Sequence, residues 1–274
     1  MICTIPRLME PQELESLLDD ERLIIIDLSS LSLYSLKHVP GAVHLPYRAL
    51  MSNNPPAMGK CPSFSEVESL INYLGIDNTK HVIVYDDEGG GWAGRFTWIM
   101  DLVGIHNWSY LNGGIVAWIK EGFPTESSPN LPNAGKTCLG DDFAYPAASI
   151  SVDEIIASLG ANDFAIWDAR NPAEYSGEIV SAARGGHIPG AINLEWSALM
   201  NTQANLRIHN EAQAILDSVG LTKDKRIATH CQQHHRSGFT YMVARILGYD
   251  KIAGYGGSWA EWGNLDHTPV EYGL

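Results

Sequence analysis

The sequence predicts an α/β protein built from two tandem copies of one domain, each a mostly parallel sheet with helices on both faces. Three observations carry this reading. The chain has 274 residues, enough for two domains that each bury a core. A set of segments then recurs in the same order in both halves. His38-Val39-Pro40-Gly41-Ala42-Val43-His44 returns as His187-Ile188-Pro189-Gly190-Ala191-Ile192-Asn193, and the strand end Ile24-Ile25-Ile26-Asp27 returns as Phe164-Ala165-Ile166-Trp167-Asp168. Leu111-Asn112-Gly113-Gly114-Ile115-Val116-Ala117-Trp118 is answered by Tyr255-Gly256-Gly257-Ser258-Trp259-Ala260-Glu261-Trp262. A repeat of this length is a duplicated domain rather than a solenoid. Third, short apolar runs alternate with helical stretches, which implies parallel strands with ligands beyond their carboxyl ends.

Taken in order, Pro11–Leu18 opens the first copy and Ser151–Leu159 the second, where Ser151 followed by Glu154 makes a capping box. The first domain is placed at 1–124 and the second at 149–274. Between them, 125–148 is rich in Pro, Gly, Asn and Ser without apolar periodicity and reads as a linker. Late in the second copy, Arg226-Ile227-Ala228-Thr229 reads as a buried strand. Phe239, Val243, Ile246 and Leu247 form one apolar face of a helix that ends at Gly248.

Composition excludes several functions. The apolar fraction of 45% and charged fraction of 18% are those of an ordinary globular protein. A formal net charge of −14 argues against nucleic acid or an anionic membrane as partner. The same charge requires a local field wherever an anionic substrate binds. The four cysteines, Cys3, Cys61, Cys138 and Cys231, are too scattered for a disulfide framework. The first residues lack a basic region followed by an apolar stretch, so no signal peptide is expected, and no apolar run could span a membrane. A reducing cytoplasm is the expected setting.

The chemistry concentrates in the loop between the late strand and its helix. A strand–loop–helix turns backbone N–H groups inward in front of a helix N-terminus, a nest that favours an anion. Cys231, as first loop residue, stands at its focus, with a lowered pKa and an exposed sulfur expected. His230, Cys231, His234 and His235 are metal-ligand types, but no second Cys/His pair at ligand spacing stands elsewhere, so neither metal nor cofactor is expected. In the first copy, strand His81–Tyr85 leads into Asp86-Asp87-Glu88-Gly89-Gly90-Gly91-Trp92-Ala93-Gly94-Arg95. Asp86 or Asp87 thus replaces the cysteine, and that copy is expected to be structural.

The paired H-[VI]-P-G-A motifs, the N-G-G and G-S-W-A-E-W segments and the single Cys loop C-Q-Q-H-H-R-S resemble a tandem-domain rhodanese over nearly the whole chain. The resemblance implies a sulfurtransferase. Cys231 takes the outer sulfur of thiosulfate as a covalent persulfide and passes it to cyanide, a thiol or a protein acceptor. The N–H groups of Gln232, Gln233, His234, His235, Arg236 and Ser237 would stabilise the terminal sulfur. Arg170 would hold the donor's anionic end, its alternative being an i,i+4 pair with Glu174. Its counterpart in the first copy is Ser29. The family's C-R-K-G-V-T and C-G-[ST]-G-V-T loops are both absent, so cationic help falls to Arg236, His234 and His235. 3-Mercaptopyruvate is the alternative donor, and a persulfide carrier that delivers sulfur to a protein partner is the alternative role. Trp196 is read as core, with the pocket wall as second reading. A cysteine phosphatase loop has one residue more between Cys and Arg, which leaves this one too small for phosphate.

Overall fold

The structure is a computed structural model that describes residues 5–137, 139–140 and 142–273. The first domain runs β1 (Leu8–Met9), α1 (Pro11–Glu15), β2 (Leu23–Asp27), α2 (Leu31–Tyr34), β3 (Val43–His44), α3 (Phe64–Leu74), β4 (His81–Tyr85), α4 (Gly91–Leu102), β5 (Trp108–Leu111) and α5 (Gly114–Lys120). The second runs α6 (Val152–Ser158), β6 (Phe164–Asp168), α7 (Pro172–Ser176), β7 (Ile192–Asn193), β8 (Met200–Asn201), β9 (Arg207–Ile208), α8 (Ala212–Ser218), β10 (Arg226–His230), α9 (Arg236–Ile246), β11 (Ile252–Gly254) and α10 (Ser258–Trp262).

Both main sheets are parallel, ordered β1-β5-β4-β2-β3 and β11-β10-β6-β7, with a small antiparallel β8–β9 pair aside. β4 and β10 lie inside their sheets, flanked on both sides, and their apolar runs are buried accordingly. Among the described residues, no helix is long and apolar enough to cross a membrane.

Local chemistry explains where elements begin. Ser151 accepts from the Glu154 N–H while the Glu154 carboxylate accepts from the Ser151 N–H, the reciprocal cap that starts α6. The two H-[VI]-P-G-A motifs do one job twice. His38 stacks on Tyr34 with ring centroids 3.9 Å apart, and His187 stacks on Tyr175 at 3.7 Å. Gly41 and Gly190 supply the positive φ of +77° and +72° that the turn behind each histidine needs. The segment 125–148 holds little regular structure yet is fastened to the first domain. Glu126 bridges to His38, Thr137 N–H donates to Asn72 Oδ1, and Ala148 O accepts from Trp98 Nε1.

The pattern of α9 undersells its burial. Instead of one apolar face, all of Ser237–Ala244 is buried, because α9 packs between its own sheet and α4 of the other domain. The helices touch where both carry glycine: a Cβ on Gly94 would lie 2.3 Å from Gly238 O. Polar bonds flank this crossing, since Asp101 of α4 accepts from Tyr241 Oη at 2.8 Å and from Arg245 Nε at 3.1 Å on α9. A helical glycine costs about 0.5–1 kcal/mol against alanine, and here it permits the close approach. Gly94→Val is therefore expected to lower stability by about 1–3 kcal/mol through overpacking, seen as an earlier midpoint in urea unfolding. A wild-type midpoint would mean that the crossing does not need a glycine.

Candidate active site

β10 ends at His230, so Cys231 is the first residue beyond the carboxyl end of an interior strand. The loop then reaches α9 within the span Cys231–His235, with His234 in the left-handed region at φ +58°. Each loop carbonyl is drawn outward by a donor. Cys231 O and Gln232 O accept from the Trp259 and Ala260 N–H groups in the first turn of α10, at 2.9 and 3.0 Å. Gln233 O and His234 O accept from NH1 of Arg95, at 3.4 and 3.2 Å. Carbonyls held outward leave the loop's N–H groups turned inward around the sulfur, with the N-terminus of α9 behind them.

Cys231 is 1% exposed, so the expectation of an exposed sulfur is corrected: the loop that supplies the donors also wraps the thiol. Burial pushes that thiol up, but the charge of Arg236, the hydroxyl and N–H of Ser237 and the N–H of Gln233 outweigh it. The net result lies below the usual thiol range.

Around this centre the expected residues take different places. Arg236, the first residue of α9, acts on the thiolate and makes a two-pronged pair with Glu174, NH1–Oε2 2.5 Å and NH2–Oε1 2.9 Å. Arg170 does not pair with Glu174. Its Nε and NH2 hold Asp168, NH2 also reaches Gly186 O at 2.8 Å, and its guanidinium lies 4.4 Å over the Trp259 ring. It is as fully buried as Cys231 itself, with its guanidinium engaged by Asp168 and Gly186.

His234 also lies inward. The positive φ turns its ring into the domain interface, against Trp98 at 4.4 Å, and Nδ1 bonds Ser237 Oγ at 2.7 Å. Burial holds this imidazole neutral, well below its usual range. His235 instead is partly exposed, its Nε2 2.9 Å from Glu88 Oε2 and its ring 4.2 Å from Trp92. Trp196 stands half-buried between His235 and Phe239. Gln232 donates its side-chain amide to Ser181 O.

The first domain resolves its own ambiguity. Asp86 follows the last residue of β4 as Cys231 follows β10, and its carboxylate accepts from the N–H groups of Glu88, Gly90, Trp92 and Ala93 at 2.8–3.0 Å. Asp87 instead accepts from Ser30. The equivalent nest is thus filled by a fixed anion. This domain nevertheless supplies Arg95, Glu88 and Trp92 to the other domain's loop, which sequence reasoning missed. Arg95 left a signal: it is a cation in an apolar helical run without a carboxylate at i±3 or i±4.

A buried cysteine of lowered pKa in an N–H nest beyond a parallel strand, matched by an aspartate at the same place in the other domain, points to a class of sulfur-handling proteins. The rhodanese-like domain family matches residues 10–121 and 151–265, and the chain belongs to that family. It is 46% identical to the thiosulfate sulfurtransferase of Azotobacter vinelandii over 98% of each chain. It is 45% identical to that of Pseudomonas aeruginosa over 97% of each. A sulfur carrier protein of Thermus thermophilus, TtuD, is 31% identical over 93% of each. The solved anaerobic ergothioneine biosynthesis enzyme of Chlorobium limicola shares the fold, with a TM-score of 0.86 at 23% identity over 98% of this chain and 70% of that one.

The thiol environments predict a difference in reactivity. Burial pushes Cys61 up to about 12, while Cys231 lies below the ordinary thiol value. Iodoacetamide near neutral pH is expected to label Cys231 at least roughly a hundredfold faster than Cys61, since only the thiolate reacts. Cys231 labelling should fall as pH drops through its lowered pKa, and its midpoint should lie below that of Cys61. Equal rates at the two cysteines would contradict this electrostatic account. Cys3 and Cys138, expected to be slow as well, lie outside the described residues.

Proposed function

We propose that this chain is a thiosulfate sulfurtransferase working through a persulfide on Cys231. The observation that carries the reading is the buried Cys231 in a loop whose carbonyls from Cys231 to His234 are all taken by donors, with Arg236 and the Ser237 and Gln233 N–H groups lowering its pKa. The thiolate attacks the outer sulfur of thiosulfate, a bond forms between the two sulfurs, and sulfite leaves with the electron pair of the broken S–S bond. The terminal sulfur keeps the negative charge and rests against the nest, as an oxyanion rests in its hole. Cyanide or a thiolate then attacks that sulfur and releases the Cys231 thiolate. No metal or cofactor is needed for either step. Arg236, beside the thiolate, supplies the positive field that draws in an anionic donor against the overall −14 charge. Partly exposed His235 is a further candidate to face the donor, beside the buried Arg170 and His234.

The names of the relatives favour thiosulfate over 3-mercaptopyruvate, and the sulfur carrier relative supports a protein as a further acceptor. A reducing cytoplasm, which keeps Cys231 free, is the setting proposed for both. Incubation with thiosulfate is expected to add one sulfur, about 32 mass units, on Cys231, removable by cyanide as thiocyanate. Cys231→Ser should lose both the mass gain and turnover. Sulfur uptake by the serine variant, or on another cysteine, would sink the mechanism.

A further inference from the structure

The silent first domain holds a buried cation whose partners are all backbone. Arg95, on α4, is 0% exposed. Its Nε donates to Leu50 O at 2.8 Å, NH2 to Gly59 O and Lys60 O at 2.7 and 3.1 Å, and NH1 to Gln233 O and His234 O. A guanidinium has five N–H donors, and here each finds a carbonyl. Among the described residues no carboxylate pairs with it. Burying a charge in this way is costly unless something compensates. The groups that raise its pKa are the thiols of Cys61 and Cys231, while burial lowers it to about 10.

The geometry beyond the bonds is specific. A Cβ on Gly59 would lie 2.2 Å from Gln233 O, and a Cβ on Gly238 would lie 2.7 Å from the Arg95 N. Bare backbone on both sides therefore lets the guanidinium reach the loop. In a planar trans peptide the C=O and the N–H of the next residue point in opposite directions. Pulling Gln233 O and His234 O toward Arg95 therefore drives the N–H groups of His234 and His235 to the other side, into the nest. Among the described residues no backbone carbonyl accepts from either N–H.

We propose that Arg95 is a positioning residue of the Cys231 site: from the other domain it fixes the Gln233–His234–His235 peptides with their N–H groups facing the sulfur, and its charge answers the thiolate and the persulfide. The inference rests on Cys231 being the reacting thiol, and it makes the docked pair of domains the catalytic unit.

The test uses the full chain with Arg95→Met, which removes charge and fork, and Arg95→Lys, which keeps the charge alone. Cys231 alkylation against pH, kcat and KM with thiosulfate, and thermal unfolding are compared with wild type. Arg95→Met is expected to move the alkylation midpoint up by about one pH unit and to lower kcat about tenfold or more, with KM changed far less. Arg95→Lys should recover the midpoint but not kcat. A folded Met or Lys variant that alkylates and turns over within about twofold of wild type overturns the proposal. Should neither variant fold, wild type carrying isotope-labelled arginine decides. The Arg95 Nε–H signal must shift as Cys231 titrates and differ in Cys231→Ser, and a signal indifferent to Cys231 overturns it. Alkylation needs no sulfur donor. A wild type that alkylates readily yet takes no sulfur from thiosulfate therefore contradicts the functional reading and leaves the Arg95 result to stand or fall by its own midpoint.

Discussion

Peptide planarity links the direction of each loop carbonyl to the direction of the N–H behind it, so the Cys231 site depends on what holds four carbonyls away from the sulfur. Two of those holds come from the first turn of α10, where Trp259 and Ala260 N–H groups have no intrahelical acceptor and take Cys231 O and Gln232 O instead. The other two come from Arg95, across the domain interface. The segment Gly256–Trp262 and the α4–α9 crossing therefore both shape the loop around Cys231. The thiolate follows from this arrangement: burial opposes its charge, and the aimed N–H groups with Arg236 overcome the opposition.

The two domains present one nest with two occupants. In the first, the Asp86 carboxylate meets four N–H groups and fills the space with an anion that cannot leave. In the second, the occupant is a sulfur that can form and break a bond. Supporting groups diverge in step. Tyr85 Oη donates to Asp27 at 2.6 Å in the first domain, where the second sets His230 3.6 Å from Asp168 and adds Arg170. One scaffold thus carries a carboxylate nest in one copy and a cysteine nest in the other by exchange of a few side chains at strand ends.

Much of this was legible in the chain, for identifiable reasons. Strand ends, the Ser151–Glu154 cap and the repeated His-x-Pro-Gly turns depend on neighbours in sequence, and the structure reproduces them. The position opposite Cys231 could be read only to within one residue, because strand and helix alignments disagree by one, and the hydrogen bonds of Asp86 decide it. The interface was not legible. Nothing local says that Gly94 meets Gly238, so Arg95, Glu88 and Trp92 stayed hidden. The orientation of His234 was not legible either, because only its positive φ turns the ring onto Trp98. The alternative weighed for Arg170 failed for a similar reason: i,i+4 spacing offered Glu174, but the fold brings Glu174 to Arg236 and leaves Arg170 to Asp168.

The central claim is that the loop's N–H groups face the sulfur and hold its charged, sulfur-loaded form. A crystal structure of the thiosulfate-treated protein measures this most directly. The account predicts added density on Cys231 Sγ, with the terminal sulfur at about 3.2–3.8 Å from the N–H groups of His234, His235 and Arg236, within the reach of hydrogen bonds to sulfur. A terminal sulfur turned away from those groups, or found on another cysteine, would contradict it.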